Sequence, residues 1–412
     1  MQPNSLKSVL VAIVAPLIGA VLFTLGNGYF TTVSTLLLHN MQGSVGLVGV
    51  MAAIYFAGLM FGSYHTQHVV LRVGHIRAFA IFASLMVVST LLQGIFYNAI
   101  AWLVWRFVYG YSLAGLYLVV EGWLLMQAGK QFKGQVFGIY LMVFYLSLAL
   151  AQLFVNLPLH QPMMIFAIIA GLAALAILPV SLTRQKAPEV EEKALVSPLV
   201  LIKKTPLGVL ACIVSGMILG VVYSMLPLFF AQVHLHTTMI AWLMLTTIIG
   251  AAALQWPLGL YSDKVDRRFV LAGVCFATTL AAVLILLFHH ELWLLFILVF
   301  VFGGFAFTVN PLSISHTSDY IDSDKIVSAM STMILMYGFG SMIGPLVASA
   351  FINVLGPYGF FVYMIVVTLP LGAYALWRIT QRKRLKPKDA ANFMPTPAIP
   401  AGKEDFLVQD TE

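Results

Sequence analysis

Twelve times along this chain an apolar stretch of about twenty residues or more is set off by a short polar turn. The stretches fall at residues 9–30, 44–66, 78–97, 99–122, 135–157, 163–182, 207–231, 239–261, 269–288, 292–314, 327–351 and 359–379. A helix of about 20 apolar residues is long enough to cross the hydrocarbon layer of a bilayer. It can stay there because its backbone hydrogen bonds are all satisfied internally. Composition agrees, since 61% of the residues are hydrophobic and 9% are charged, against about 25% charged in soluble domains. The fold class expected is therefore an all-α polytopic membrane protein with 12 transmembrane helices. The first stretch is too long for the apolar region of a cleavable leader and is read as a retained span.

The basic residues sort with this count. With the N-terminus in the cytoplasm, alternate turns should be basic and the others bare. Cytoplasmic segments would hold Lys7; Arg72 and Arg77; Lys130 and Lys133; Arg184, Lys186, Lys193, Lys203 and Lys204; Lys264, Arg267 and Arg268; Lys325; and seven more from Arg378 to Lys403. That accounts for all but one of the 22 basic residues, and the far-side loops hold none. Both termini are thus expected in the cytoplasm. The net charge of +7 reads as a topology signal, with no nucleic-acid partner expected. The exception is Arg106, inside the fourth stretch.

Residues 183–206 are polar and carry three prolines, as a cytoplasmic linker between two halves would. The expected domains are a six-helix bundle over 1–182, that linker, a second bundle over 207–382, and a disordered cytoplasmic tail over 383–412. The halves echo one another weakly: "LGNGYF" at 25–30 aligns with "LGVVYS" at 219–224, and "RVGHIR" at 72–77 with "KVDRRF" at 264–269. Two bundles in parallel repeat, with a substrate site between them, is a transporter plan.

The stretch "WPLGLYSDKVDRR" at 256–268 resembles the Major Facilitator Superfamily, whose signature G-x-x-x-D-(R/K)-x-G-R-R lies between helices 2 and 3 and again between 8 and 9. The second copy matches at Gly259, Asp263, Lys264, Arg267 and Arg268, with Asp266 in place of glycine. In the first copy Gln67 and Leu71 replace the glycine and aspartate, while Arg72 and Gly74 remain. The helix-4 motif R-x-x-x-G-x-x-x-A is matched by Arg106, Gly110 and Ala114. Within the superfamily, "WRFVYG", "LVVEGWL", "QWPLG" and "YGFGSMIGP" most resemble the YcaD-like group of bacterial facilitators. The resemblance implies the major facilitator fold, two pseudo-symmetric six-helix bundles in a bacterial inner membrane. It also implies transport of a small solute by alternating access.

An arginine in mid-membrane costs at least about 2.5 kcal/mol, so it normally faces water or a partner. At about 100° per residue, Gly110, Ala114, Tyr117 and Glu121 share the helix face of Arg106. The resemblance implies that this arginine points into the central cavity, to bind an anionic group or tune proton coupling. The alternatives are outward snorkelling or a clamp on backbone carbonyls. Glu121 is the carboxylate within a span, about 22 Å from Arg106 along the axis. By resemblance it latches the cytoplasmic gate against Arg72 or Arg77, with proton carriage as the alternative. Asp263 is expected to cap a helix N-terminus, and Asp319 to meet Arg267 or Arg268; such contacts would hold the outward-open state. Both could instead be ordinary solvated loop charge.

Polar residues inside the spans are the candidate cavity lining: Asn27, Tyr29, Tyr117, Tyr145, Gln152, Tyr223, Gln255, Asn310 and Tyr337, with Arg106. Singly, each is as well read as an interhelical hydrogen bond. Gly340, Gly344 and Pro345 join Gly110 and Ala114 as helix-packing positions. Drug-exporting facilitators carry a comparable Gly-Pro motif in helix 5, where this chain has Gln152 and Leu153. No metal site is expected at "HLH" (234–236) or "HHE" (289–291), and no cofactor, with proton coupling left open. The spans hold no carboxylate or histidine cluster for catalysis, so an enzyme is not expected. The reading is a secondary transporter expected to act as a monomer, with the lipid bilayer and a small-molecule substrate as partners. The alternatives are a proton-coupled drug or metabolite exporter and a non-transporting receptor or scaffold on the same fold.

Overall fold

The computed structural model describes residues 6–41, 43–157, 161–182, 198–321 and 326–381, and these are helical with no strand among them. The first half comprises α1 (Leu6–Asn40), α2 (Val45–Val73), α3 (His75–Ile95), α4 (Ala99–Gln127), α5 (Gly129–Leu153) and α6 (Pro162–Ser181). A seven-residue helix, α7 (Pro198–Lys204), precedes the second half. That half comprises α8 (Pro206–Gln232), α9 (Thr237–Lys264), α10 (Arg267–Phe288), α11 (Leu292–Ser318), α12 (Ile326–Leu355) and α13 (Gly359–Gln381). The expected linker is therefore helical at its end, while 183–197 and the expected tail lie outside the described residues.

Local chemistry sets the corners. Asn98 caps α4 by accepting from Ala101 N at 2.9 Å, and Ser44 caps α2 by accepting from Leu47 N at 3.2 Å. Gly74, at φ +79°, turns the chain between α2 and α3. By composition, residues 328–381 form one continuous 54-residue apolar run, which would leave eleven candidate spans. As one helix that run would be about 81 Å long, against about 30 Å of hydrocarbon. Gly356, at φ +66°, breaks it into α12 and α13 and restores twelve.

The two halves repeat one packing scheme. In the first, α2 packs on α4, α1 on α5 and α6, and α3 on α4 and α6; the second repeats this with α9 on α11, α8 on α12 and α13, and α10 on α11 and α13. Glycines make the closest seams. A methyl on Gly58 or Gly110 would collide with backbone carbonyls across the α2–α4 seam, and one on Gly250 or Gly303 would do so across the α9–α11 seam. Gly58 and Gly250 are 192 positions apart, the spacing already seen in the sequence echoes.

The halves meet along α1–α8, α2–α12 and α5–α9. Thr35 Oγ1 donates to Ser224 O at 2.9 Å, and Tyr145 donates to Gln255 Oε1 at 2.7 Å. Gly49 lies against Pro345 and Ser349. These contacts run from the helix middles toward the face opposite the basic turns. The ion pairs described at the basic face, by contrast, all lie within the second half.

Candidate functional site

Arg106 sits on α4 with 3% of its surface exposed, so it does not snorkel. Its guanidinium is boxed by three rings, with Cζ 4.3 Å from the centroid of Phe30, 4.8 Å from Tyr55 and 5.5 Å from Tyr109. Such cation–π contacts are worth about 0.5–2 kcal/mol each. No carboxylate pairs with Arg106 among the described residues, and its Nε and Nη1 are buried without hydrogen bonds. The hydroxyls of Tyr109 and Tyr223 are buried and unbonded as well.

The cage borders two adjoining crevices, each about 320 Å³ counted out to open solvent. One is lined by Asn27, Thr31, Thr32, Gln152 and Tyr223 among others. The other is lined by Arg106, Ser34, Thr35, Met51 and Ser224 together with Thr31 and Tyr223. Tyr55 and Phe56 border both. They are narrow slots beneath the seal between the halves. Asn27 Oδ1 accepts from Tyr55 at 3.2 Å, which fixes that ring under the guanidinium, and Thr32 donates to Gln152 Oε1 at 2.8 Å. Of the sequence candidates, Arg106, Asn27, Gln152 and Tyr223 therefore come together here.

The others lie elsewhere. Tyr29 packs on Phe154, at a centroid distance of 5.9 Å. Tyr117 lies inside the first half, edge-on to Phe23 and 3.5 Å from Thr24 Oγ1. Tyr145 and Gln255 bond to each other across the halves. Asn310 Oδ1 accepts from Ser215 at 3.2 Å in the α8–α11 interior. Tyr337 lies where α12 closes on Gly216 of α8. Tyr29, Tyr117, Tyr145, Gln255 and Asn310 each spend a polar group or a ring on neighbouring elements. Gly110 meets Tyr55 O, Ala114 meets Gly62, Gly340 meets Ile213 O, and Gly344 meets Met217 O, while Pro345 abuts Gly49.

The sequence reading missed Phe30, Tyr55, Tyr109 and the hydroxyl run Thr31, Thr32, Ser34 and Thr35. It ended the first span at residue 30, but α1 continues to Asn40. The hydroxyls stay in the helix by bonding its own carbonyls, as Thr31 does to Asn27 O at 2.8 Å. Tyr109 carried a signal, because three positions after Arg106 places it on the same face.

At the basic face the expected latch takes another form. Glu121 is 3% exposed and accepts from Tyr140 at 3.0 Å, whereas Arg72 and Arg77 are exposed. Among the described residues no ion pair joins Glu121 to either arginine, because it faces α5 within its own bundle. In the second half Arg267 bridges Asp263 at 2.8 Å and Asp319 at 3.5 Å. Arg268 meets Asp266 at 2.7 Å and donates to Arg378 O at 2.9 Å. Gly259 and Lys264 lie on the last turns of α9 beside this network. Among the described residues its ion pairs join members of one half, and there they brace that bundle. The cap expected of Asp263 is made by Asp266, which accepts from Arg268 N at 3.0 Å. Burial pushes the Asp266 carboxyl up, but the bonds from Arg268 outweigh this and hold it below the ordinary carboxylate range.

Comparison with known proteins matches this architecture. The sequence model of the Major Facilitator Superfamily fits the chain over residues 17–238 and 210–407. A protein of Escherichia coli (strain K12 / DH10B) named "Uncharacterized MFS-type transporter YcaD" is 28% identical over 329 residues, covering 79% of this chain and 85% of its own length. Among solved structures, a mutant of the nucleoside transporter NupG superposes with a TM-score of 0.76 at 14% identity, over 90% of this chain and 100% of that one. A bacterial homologue of the human lysosomal transporter Spinster, inward-facing and unoccupied, gives 0.72 at 14% identity, over 93% and 100%. These two share the fold. With twelve apolar helices in two repeated bundles and a family match over most of its length, the chain belongs to the Major Facilitator Superfamily, and is a membrane transporter and not an enzyme.

Proposed function

We propose that this transporter moves a small organic anion across a bacterial inner membrane by rocking its two halves, as a monomer with both termini in the cytoplasm. Arg106 is the observation that carries the reading. A buried guanidinium with two unbonded nitrogens and no carboxylate nearby demands an acceptor, and leaving buried charged donors unbonded costs several kcal/mol. An anionic cargo supplies that acceptor when it enters, while Tyr223 and the hydroxyls of α1 sort the rest of the molecule. The contacts between halves toward the non-basic face, and ion pairs at the basic face that among the described residues stay within the second half, fit a state open to the cytoplasm.

The test is thermal-shift screening of the purified protein against matched pairs of solutes, carboxylates or phosphates beside their neutral amides or alcohols. Stabilisation confined to anions, and lost in Arg106→Gln, is the expected result. Equal response to neutral partners would remove the anion from the proposal.

A second reading adds proton coupling through Glu121, which is buried and bonded by Tyr140. Uptake into proteoliposomes driven by a proton gradient should then lose its gradient dependence in Glu121→Gln.

A further inference from the structure

A third crevice, of about 220 Å³ counted out to open solvent, lies far from Arg106, where α7 meets the ends of α8, α10, α11 and α13. Lys204, Arg268, Arg378, His316 and Tyr320 line it. Arg268 is committed to Asp266. The Arg378 side chain makes no hydrogen bond or ion pair among the described residues, although its backbone carbonyl accepts from Arg268. His316 is 6% exposed and touches the Tyr320 ring edge-on at 5.1 Å, and it makes no hydrogen bond among the described residues. Three cations and a buried imidazole thus line one small space, and the Arg378 guanidinium is the one cation among them that makes no bond to the described residues. Asp319 and Asp263 are held by Arg267.

The surroundings point to the occupant's source. On α7, Leu201 is fully buried while Leu199, Val200 and Ile202 are 43–69% exposed, and Trp377 beside Arg378 is 52% exposed. An apolar face next to a basic crevice at the ends of spanning helices matches the level of phospholipid headgroups.

We infer that this crevice binds a phosphate-bearing anion, the headgroup of an anionic phospholipid or a soluble phosphate, against Arg378, Lys204 and His316. The bound group ties α7, the end of the connection between the halves, to four helices of the second half. Planar guanidinium and imidazole donors suit phosphate oxygens.

The experiment uses the full chain in a neutral detergent, melted while phosphatidylglycerol or phosphatidylcholine is added. A second series uses inorganic phosphate against chloride at equal ionic strength. The expected result is stabilisation by phosphatidylglycerol beyond phosphatidylcholine. Its half-saturating amount should rise about fivefold for each charge removed in Arg378→Gln and in Lys204→Gln/Arg378→Gln. Lys203→Gln, which removes the same charge one residue from the crevice, should leave it unchanged. If inorganic phosphate alone gives the variant-dependent shift, the anion is soluble and the site stands. Absence of any shift, or shifts equal in wild type, Arg378→Gln and Lys203→Gln, overturns the proposal. Arg378→Gln alone carries the test should the double variant not fold, because that side chain pairs with nothing described.

Discussion

The two halves share one frame and place their charges at opposite ends of it. In the first half a cation, Arg106, lies within the membrane-spanning part of α4. The position 193 residues later, Val299 of α11, is a fully buried valine. At the basic face the contrast reverses. Arg267, Arg268, Asp263 and Asp266 of the second half correspond, 192 residues earlier, to His75, Ile76, Leu71 and Gly74. A buried charge that is matched by carboxylates braces its bundle, as Arg267 does. One that meets ring faces and no described carboxylate, as Arg106 does, fits the proposed role of awaiting an acceptor from outside. Burial is nearly equal at the two sites, with Arg106 3% and Arg267 5% exposed, so the difference lies in what answers the charge.

Breaking the matched site should have the largest effect on stability. Arg267→Ala removes the guanidinium that bridges Asp263 and Asp319, whose side chain is 7% exposed, and should cost about 3–5 kcal/mol, read as a lower melting temperature in detergent.

Exchanging the two halves' choices sharpens the contrast. Val299→Arg puts a guanidinium at the corresponding position without the cage and should destabilise by about 2.5–3.5 kcal/mol. Arg106→Val removes an unmatched charge and should leave the melting temperature level or higher while transport is lost. A large destabilisation by Arg106→Val would mean that the cage is a brace like the other.

The smallest effect concerns Asp266. Its folded carboxyl titrates below its unfolded value, so its contribution is complete above about pH 4 and is lost as pH falls further through the folded value. Asp266→Asn keeps a capping oxygen but loses the ion pair to Arg268, so it should cost up to about 1 kcal/mol at pH 7, and the gap from wild type should close below pH 4.

The fold was legible in the chain because apolar length and the side preference of lysine and arginine report on the bilayer directly. The 192-residue echo likewise surfaced as repeated glycine seams. The site was legible only where polarity is costly. Arg106 stood out because an unpaired charge in hydrocarbon has few structural excuses. Tyr29 and Tyr55 look alike in sequence, and only the rotation of α1 and α2 against α4 sends one to Phe154 and the other beneath the guanidinium. Thr31 and Thr35 were hidden because a hydroxyl that bonds its own helix passes for loop chemistry. Asp266 departs from the family's glycine, and that departure proved to be the helix cap.

The seam at Gly110 has a consequence beyond packing. A side chain there would meet Tyr55 O, and Tyr55 is the ring lying 4.8 Å beneath the guanidinium. A single methyl at 110 would lever α2 away and slide that aromatic floor off the cation. On the proposed function, selectivity is thus adjustable from a position outside the crevice lining, by changing how far apart two backbones stand.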